Sequence, residues 1–216
     1  MQLEPAKFNA LLDNLGQSFG MRRASACPCL EIETNAPKPN CPQCKGIGWL
    51  WGVSVTGTSG IAAQKIQREW ANFGLWQSGD VVLTIPSNSP LYAMGPYDRV
   101  VMLDSTEAFS FVRRRGIDDT QPVPWASIER VYWLDEDEEQ VASTLPTISG
   151  FGLVWGDPEV DETIPAAGQH YSITGRKHPE FYMLQDLAQD RAHHHGRDLP
   201  RRVVLRKLDL LGRRDA

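Results

Sequence analysis

The chain has 216 residues, 41% of them hydrophobic and 23% charged, with a formal net charge of −5; these are ordinary globular values, which exclude wholesale disorder and a fibrous repeat. No apolar run approaches the ~20 residues that cross a bilayer as a helix, and Met1 to Gly20 lacks the basic-then-apolar pattern of a secretory signal. The expectation is therefore a protein made in the cytoplasm, without a membrane partner, built on one principal core.

Phe8, Leu11, Leu12, Leu15 and Phe19 recur at helical spacing, Pro5 suits a first turn, and Gly16 and Gly20 offer places to stop. This predicts a short amphipathic helix that lies either on the molecule's own core or on a neighbouring subunit.

Cys27 and Cys29 follow as C-x-C, and after eleven residues Cys41 and Cys44 follow as C-x2-C, running into Lys45-Gly46-Ile47-Gly48. Thiols stay reduced in the cytoplasm, so four clustered cysteines read as metal ligands before they read as disulfides. The second half is the specific one. A C-x2-C turn points two thiolates at one ion while backbone N–H groups face the sulfurs, and a glycine just after lets the chain turn tightly beneath them. C-x-C with Pro28 between its ligands is tighter than the usual spacer, and a Cys27–Cys29 disulfide would be strained. Reduced cysteines without metal remain the alternative. Four thiolates complete a tetrahedral zinc shell with no open position, which implies a structural and not a catalytic ion.

From Gly46 onward the period changes to two. Trp49, Trp51, Val53 and Val55 alternate with Leu50, Gly52, Ser54 and Thr56, and further strands are predicted at 80–85, 98–103, 108–113, 127–134, 152–155, 170–174 and 202–207. Turn clusters such as Pro86-Ser87-Asn88-Ser89-Pro90 separate them. The fold class expected is mainly β, an antiparallel barrel or sandwich with an N-terminal helix and a small zinc-knuckle segment. The expected division is 1–45 for an N-terminal arm of helix and knuckle, and 46–216 for the β body. The stretch 61–73 is ambiguous between helix and strand, with a strand ending in a helical turn preferred. Most of the tryptophans, Trp49, Trp51, Trp70, Trp76, Trp125, Trp133 and Trp155, are expected in the core.

Charge is unevenly spread. Asp135, Glu136, Asp137, Glu138 and Glu139 form an acidic run, and Arg197, Arg201, Arg202, Arg206, Lys207, Arg213 and Arg214 crowd the tail. The run suits a solvated loop, a subunit contact or the lining of a channel through which DNA passes without sticking. Arg201 and Arg202 alternate with apolar residues as in a strand, which favours a solvated or salt-bridged interface over a phosphate-binding one. His193, His194 and His195 read as a polar loop or subunit contact. A metal-dependent hydrolase using them with Asp186 and Asp190 is the best enzymatic alternative. No H-E-x-x-H, nucleophile elbow, phosphate loop or dinucleotide fingerprint occurs. His178 is expected to form hydrogen bonds or an interface and not to act as a base.

Several strings together resemble the neck, or head-to-tail connecting, proteins of bacteriophages with contractile tails. They are Gly20-Met21-Arg22-Arg23-Ala24-Ser25-Ala26-Cys27-Pro28-Cys29, Cys41-Pro42-Gln43-Cys44-Lys45-Gly46-Ile47-Gly48, Pro86-Ser87-Asn88-Ser89-Pro90-Leu91-Tyr92, Ser172 to Tyr182, and the histidine triplet leading into Leu199-Pro200-Arg201-Arg202. The resemblance implies a non-enzymatic virion subunit assembled in the host bacterial cytoplasm. It implies a homo-oligomeric collar or connector ring, sixfold or twelvefold, between portal or adaptor proteins and tail proteins, with a barrel-like body and an N-terminal extension carrying zinc. The alternative from the residues alone is a zinc-ribbon nucleic-acid-binding protein.

Overall fold

The computed structural model describes residues 4–62, 66, 71, 76–119, 123–157, 161–187, 193–194 and 197–211. In chain order the elements are α1 (Pro5–Leu15), β1 (Gln17–Ala26), β2 (Trp49–Ile61), β3 (Val81–Ile85), a 3-10 turn (Pro90–Ala93), β4 (Arg99–Met102), β5 (Glu107–Arg114), β6 (Trp125–Leu134), β7 (Gln140–Ala142), β8 (Thr147–Ser149), β9 (Gly152–Val154), β10 (His170–Lys177), β11 (Glu180–Asp186), β12 (His193–His194), β13 (Arg197–Asp198), β14 (Arg201–Lys207) and a second 3-10 turn (Leu208–Leu210). The fold is mainly β and antiparallel, as the alternating pattern predicts, and it divides into two compact units: residues 1–104 with 180–216, and residues 105–179.

The first unit is a closed barrel with strand order β1-β2-β3-β14-β11-β4. Register fixes which side chains point inward: Phe19 opposes Met102, Met21 opposes Val100, and Val100 opposes Phe181, so alternate residues of adjacent strands meet inside. The interior is filled by Phe19, Met21, Leu83, Ile85, Val100, Met102, Phe181, Met183, Val203 and Leu205, with Leu91 and Met94 from the first 3-10 turn added to the same cluster. Ser89 starts that turn, accepting from the Leu91 N–H and donating to the Thr58 carbonyl. On the outer side, Asp80 and Arg206 meet in a bidentate pair at 3.0 and 2.9 Å. Asp80 raises the Arg206 guanidinium above its ordinary value. Arg99 and Glu180 form a second buried pair, and the Asp98 carboxylate ties Ala24 N–H and Gly95 N–H at 2.7 and 2.8 Å.

The second unit is inserted between β4 and β11. Its four-stranded sheet runs β5-β10-β6-β7, beside a separate β8-β9 hairpin. One sheet face buries Phe109, Trp125, Val131, Tyr171 and Ile173 with Leu153. Asp119 anchors this core, since its buried carboxylate accepts from Gly116 N–H at 2.7 Å, from Trp155 Nε1 at 3.1 Å and from the Tyr171 hydroxyl. Burial and then Asp119 push the Tyr171 phenol above its ordinary range.

Several expectations are revised. Phe19 is not on the helix: Gly16 leaves α1 with extended backbone, and Phe19 enters β1 as a fully buried barrel residue. Neither β1 nor β11 was expected, because Arg22-Arg23 and the Phe181 to Leu184 run hide the alternation. The two units differ from the expected boundary at 45/46, since β1 belongs to the barrel and the inserted unit lies within the expected body. Within 61–73, Ile61 closes β2 while Ile66 and Ala71 have helical backbone, so the helical reading of that stretch fits the described residues. Of the described tryptophans, Trp125 is buried and Trp133 and Trp155 pack against the same core of the inserted unit. None belongs to the barrel interior, which takes aliphatic, Met and Phe side chains, because even eight strands leave room for little more than packed side chains and six leave less. Trp70 lies outside the described residues.

Candidate metal centre

The cysteine segment is the loop of one long hairpin. β1 and β2 pair antiparallel until Ala26 opposes Trp49, and the Cys27 N–H then donates to the Gly48 carbonyl at 2.8 Å. Everything from Cys27 to Gly48 hangs from that last rung, and its buried cluster is made of the cysteines, with Leu50 of β2 packed against them. A loop of this length without secondary structure is uncommon unless something ties it.

The four Sγ atoms lie within 4.8 Å of one another. Cys27 and Cys41 sulfurs are 3.8 Å apart, and Cys29 and Cys44 are 3.5 Å apart. A tetrahedral ion with sulfur at ~2.3 Å requires sulfurs roughly 3.8 Å apart, whereas a disulfide requires ~2.05 Å. The donor set therefore fits one metal ion, and all four thiols are free. Tight turns bring the ligands in. Leu30 N–H donates to the Cys27 carbonyl at 3.0 Å, Lys45 N–H to the Cys41 carbonyl at 2.9 Å and Ile47 N–H to the Cys44 carbonyl at 3.0 Å. The second turn requires left-handed backbone at Lys45 (φ 54) and Gly46 (φ 85). A side chain on Gly46 would also bring its Cβ to 2.8 Å from the Pro39 carbonyl oxygen.

The electrostatics favour thiolate at the knuckle. N–H groups of Cys44 and Gln43 point at the Cys41 sulfur and bring its thiol down to about 6. Burial acts to raise Cys44, but the Gly48 N–H, the Cys29 thiol and the Gly46 N–H outweigh it, leaving that thiol lowered as well. At Cys29 burial wins and the thiol is pushed up to about 12. The C-x2-C half thus supplies the ready thiolates, and a bound cation would favour ionisation of Cys29 beside them.

The metal segment is not part of an N-terminal arm with the helix. α1 precedes the first residue of β1 and the cysteines follow its last, so a ten-residue strand of roughly 33 Å separates them. The helix docks by Leu12, Asn9 and Asp13. Leu12 packs at Gly60, Asn9 pairs reciprocally with Ser87 at 3.0 and 3.3 Å, and Asp13 accepts from Thr58 and Asn88. Phe8, Leu11 and Leu15 remain 47, 51 and 75% exposed.

The acidic run forms the β6–β7 turn. Asp135 Oδ1 accepts from the N–H groups of Asp137 and Glu139 at 3.0 and 2.8 Å, while Glu136, Asp137, Glu138 and Glu139 are exposed. Arg201 is engaged within the chain, reaching both Asp186 carboxylate oxygens and the carbonyls of Tyr92 and Met94; Arg202 is half-buried on the same strand. His193 and His194 make up β12, opposite Asp198 and Arg197, and His195 and Asp190 lie outside the described residues. Asp186 ends a strand and is not helical as the hydrolase alternative needs. Among the described residues, the cysteines are the one cluster with three or more ligands close enough for a single ion. His178 is a hydrogen-bonding residue, its Nδ1 at 2.9 Å from the Ser105 carbonyl oxygen.

The backbone N–H groups expected to face the sulfurs of a C-x2-C turn are those of Gln43 and Cys44 at Cys41 and those of Gly46 and Gly48 at Cys44. None of the described helices is long and apolar enough to cross a membrane. No protein-family model matches the chain, and no curated protein matches it.

Proposed function

We propose that this is a non-enzymatic structural subunit of a bacteriophage virion, part of the neck between portal and tail, assembled as a sixfold or twelvefold ring with portal or adaptor proteins on one side and tail proteins on the other. Zinc, held by Cys27, Cys29, Cys41 and Cys44, serves as a structural cross-link in the β1–β2 loop. The resemblance of the strings around those cysteines, around Pro86 to Tyr92 and around Ser172 to Tyr182 supports the neck assignment. The observation that carries the assembly reading is the orientation of α1. A helix that spends Asn9 and Asp13 on docking to its own barrel and turns Phe8, Leu11 and Leu15 outward presents a surface suited to a neighbouring subunit.

Native mass spectrometry of the purified chain tests this. A closed ring is expected, and replacing Phe8, Leu11 and Leu15 together by Ser is expected to disperse it while leaving the barrel folded. A stable monomer that binds nucleic acid in a salt-sensitive manner would replace this reading with that of a zinc-ribbon nucleic-acid-binding protein.

A further inference from the structure

Register places three arginines on the solvent face of the inserted sheet, opposite its core. Arg114 faces His170 across β5 and β10, Ser172 faces Val112 and Tyr132, Thr174 faces Ser110 and Arg130, and Arg176 faces Ala108. Arg114, Arg130 and Arg176 are all exposed and form no ion pair among the described residues. Arg130 lies over the Tyr132 ring at 5.0 Å, and Arg176 is steadied by Thr106 at 2.7 and 3.0 Å. Val112 is 72% exposed at the centre of this face.

The same unit carries the opposite charge on a rigid projection. Glu136 to Glu139 occupy the β6–β7 turn, whose backbone is fixed by Asp135 and by left-handed Glu138 (φ 61). Little entropy remains to be lost when such a turn docks. Four adjacent carboxylates repel one another until countercharge arrives.

We propose that the acidic β6–β7 turn of one copy docks on the arginine face of the inserted sheet of the next copy, forming the head-to-tail contact of the assembly. This rests on the ring reading and names both complementary surfaces of one contact in it. Because the patches differ and each copy carries both, the contact is heterologous and propagates around a ring. Sizes agree: the Asp135 N–H donates to the Glu139 carbonyl at 3.0 Å, so the turn is closed and narrow, and it fits a face whose two inter-strand spacings from β5 to β6 span about 10 Å. Ser110, Ser172 and Thr174 add hydroxyl donors for carboxylates between the guanidinium groups. The observations favour an acidic turn over a nucleic acid, since carboxylates at the end of β6 would repel a long polyanion laid along this sheet.

The test is charge reversal and mixing, read by native mass spectrometry. Glu136→Lys/Asp137→Lys/Glu138→Lys makes both surfaces basic, and Arg114→Glu/Arg130→Glu/Arg176→Glu makes both acidic. Each variant alone is expected to lose at least about tenfold in association. An equimolar mixture is expected to recover rings with the two variants alternating, a result that misfolded chains cannot give. Higher salt is expected to dissociate the wild-type ring, because exposed pairs are screened. A wild-type monomer overturns the ring reading and this contact with it. Wild-type rings that persist in both variants overturn the contact alone. Rings that persist while arginine reversal abolishes salt-sensitive DNA binding assign the face to nucleic acid instead.

Discussion

The barrel and the cysteine loop are continuous along β1 and β2 yet are stabilised by different means. Inside the barrel, side chains from six strands and one 3-10 turn fill a closed interior, and each strand is committed by register to put alternate residues there. In the Cys27–Gly48 loop the buried cluster is the thiols, against which Leu50 of β2 packs, and the turns are held by single backbone hydrogen bonds. Burial suffices for the first region. The second has the donors for a metal in place of a core, so its order depends on something that the barrel does not need.

The contrast can be broken from either side. The largest effect is expected in the barrel: Leu205→Ala removes a fully buried side chain and should cost about 2–5 kcal/mol in urea unfolding, lowering the midpoint for the whole barrel unit. In the inserted unit, Asp119→Ala removes the acceptor shared by Gly116, Trp155 and Tyr171. A loss of about 1–3 kcal/mol is expected there, read from the fluorescence of Trp155 during unfolding. Cys41→Ser should behave differently from both. Barrel unfolding should move little, while bound metal is lost and proteolysis becomes fast between residues 30 and 40. If Cys41→Ser unfolded the barrel as Leu205→Ala does, the two regions would not be separable.

The smallest effect concerns acid. Hydroxyls of Thr144 and Thr163 and the Thr163 N–H hold the Asp161 carboxyl below its ordinary value. Its folded form is therefore favoured above the ordinary carboxylate value, and that contribution disappears as pH falls through the lower folded value. Protection of the Thr163 amide, taken relative to its intrinsic exchange rate, should fall as pH drops through that window, and Asp161→Asn should abolish the dependence.

Sequence legibility followed the same division. A strand with clean alternation, such as His170–Lys177, was readable because one face meets a core, and Val81–Ile85 was readable as a short apolar run, with Val82 buried on one face and Leu83 and Ile85 on the other. β1 was not, since Phe19 continues the Leu12-Leu15 spacing of the helix and only the extended backbone at Gly16 breaks it. The closure of β1 against β4 and of β3 against β14 joins residues far apart in sequence, which local pattern does not encode. Placing most tryptophans in the core held for the inserted unit, where Trp125 is buried and Trp133 and Trp155 pack against the same cluster, and not for the barrel, whose narrow interior cluster holds none of the described ones. The grouping of Cys27, Cys29, Cys41 and Cys44 was legible from C-x-C and C-x2-C, whereas its place at the tip of a hairpin was not, because β1 had not been recognised. The arginine face was invisible for a related reason: Arg114, Arg130 and Arg176 sit on three different strands and meet only through register.

Hydrogen exchange of the full-length protein, with metal content measured before and after a strong chelator, tests the central claim most directly. The account predicts one zinc per chain, and loss of protection on chelation confined to residues 27–48, with Phe19, Met21, Leu83 and Leu205 still protected. Absence of bound metal with four reactive thiols in the folded protein, or equal loss of protection in loop and barrel, would contradict it.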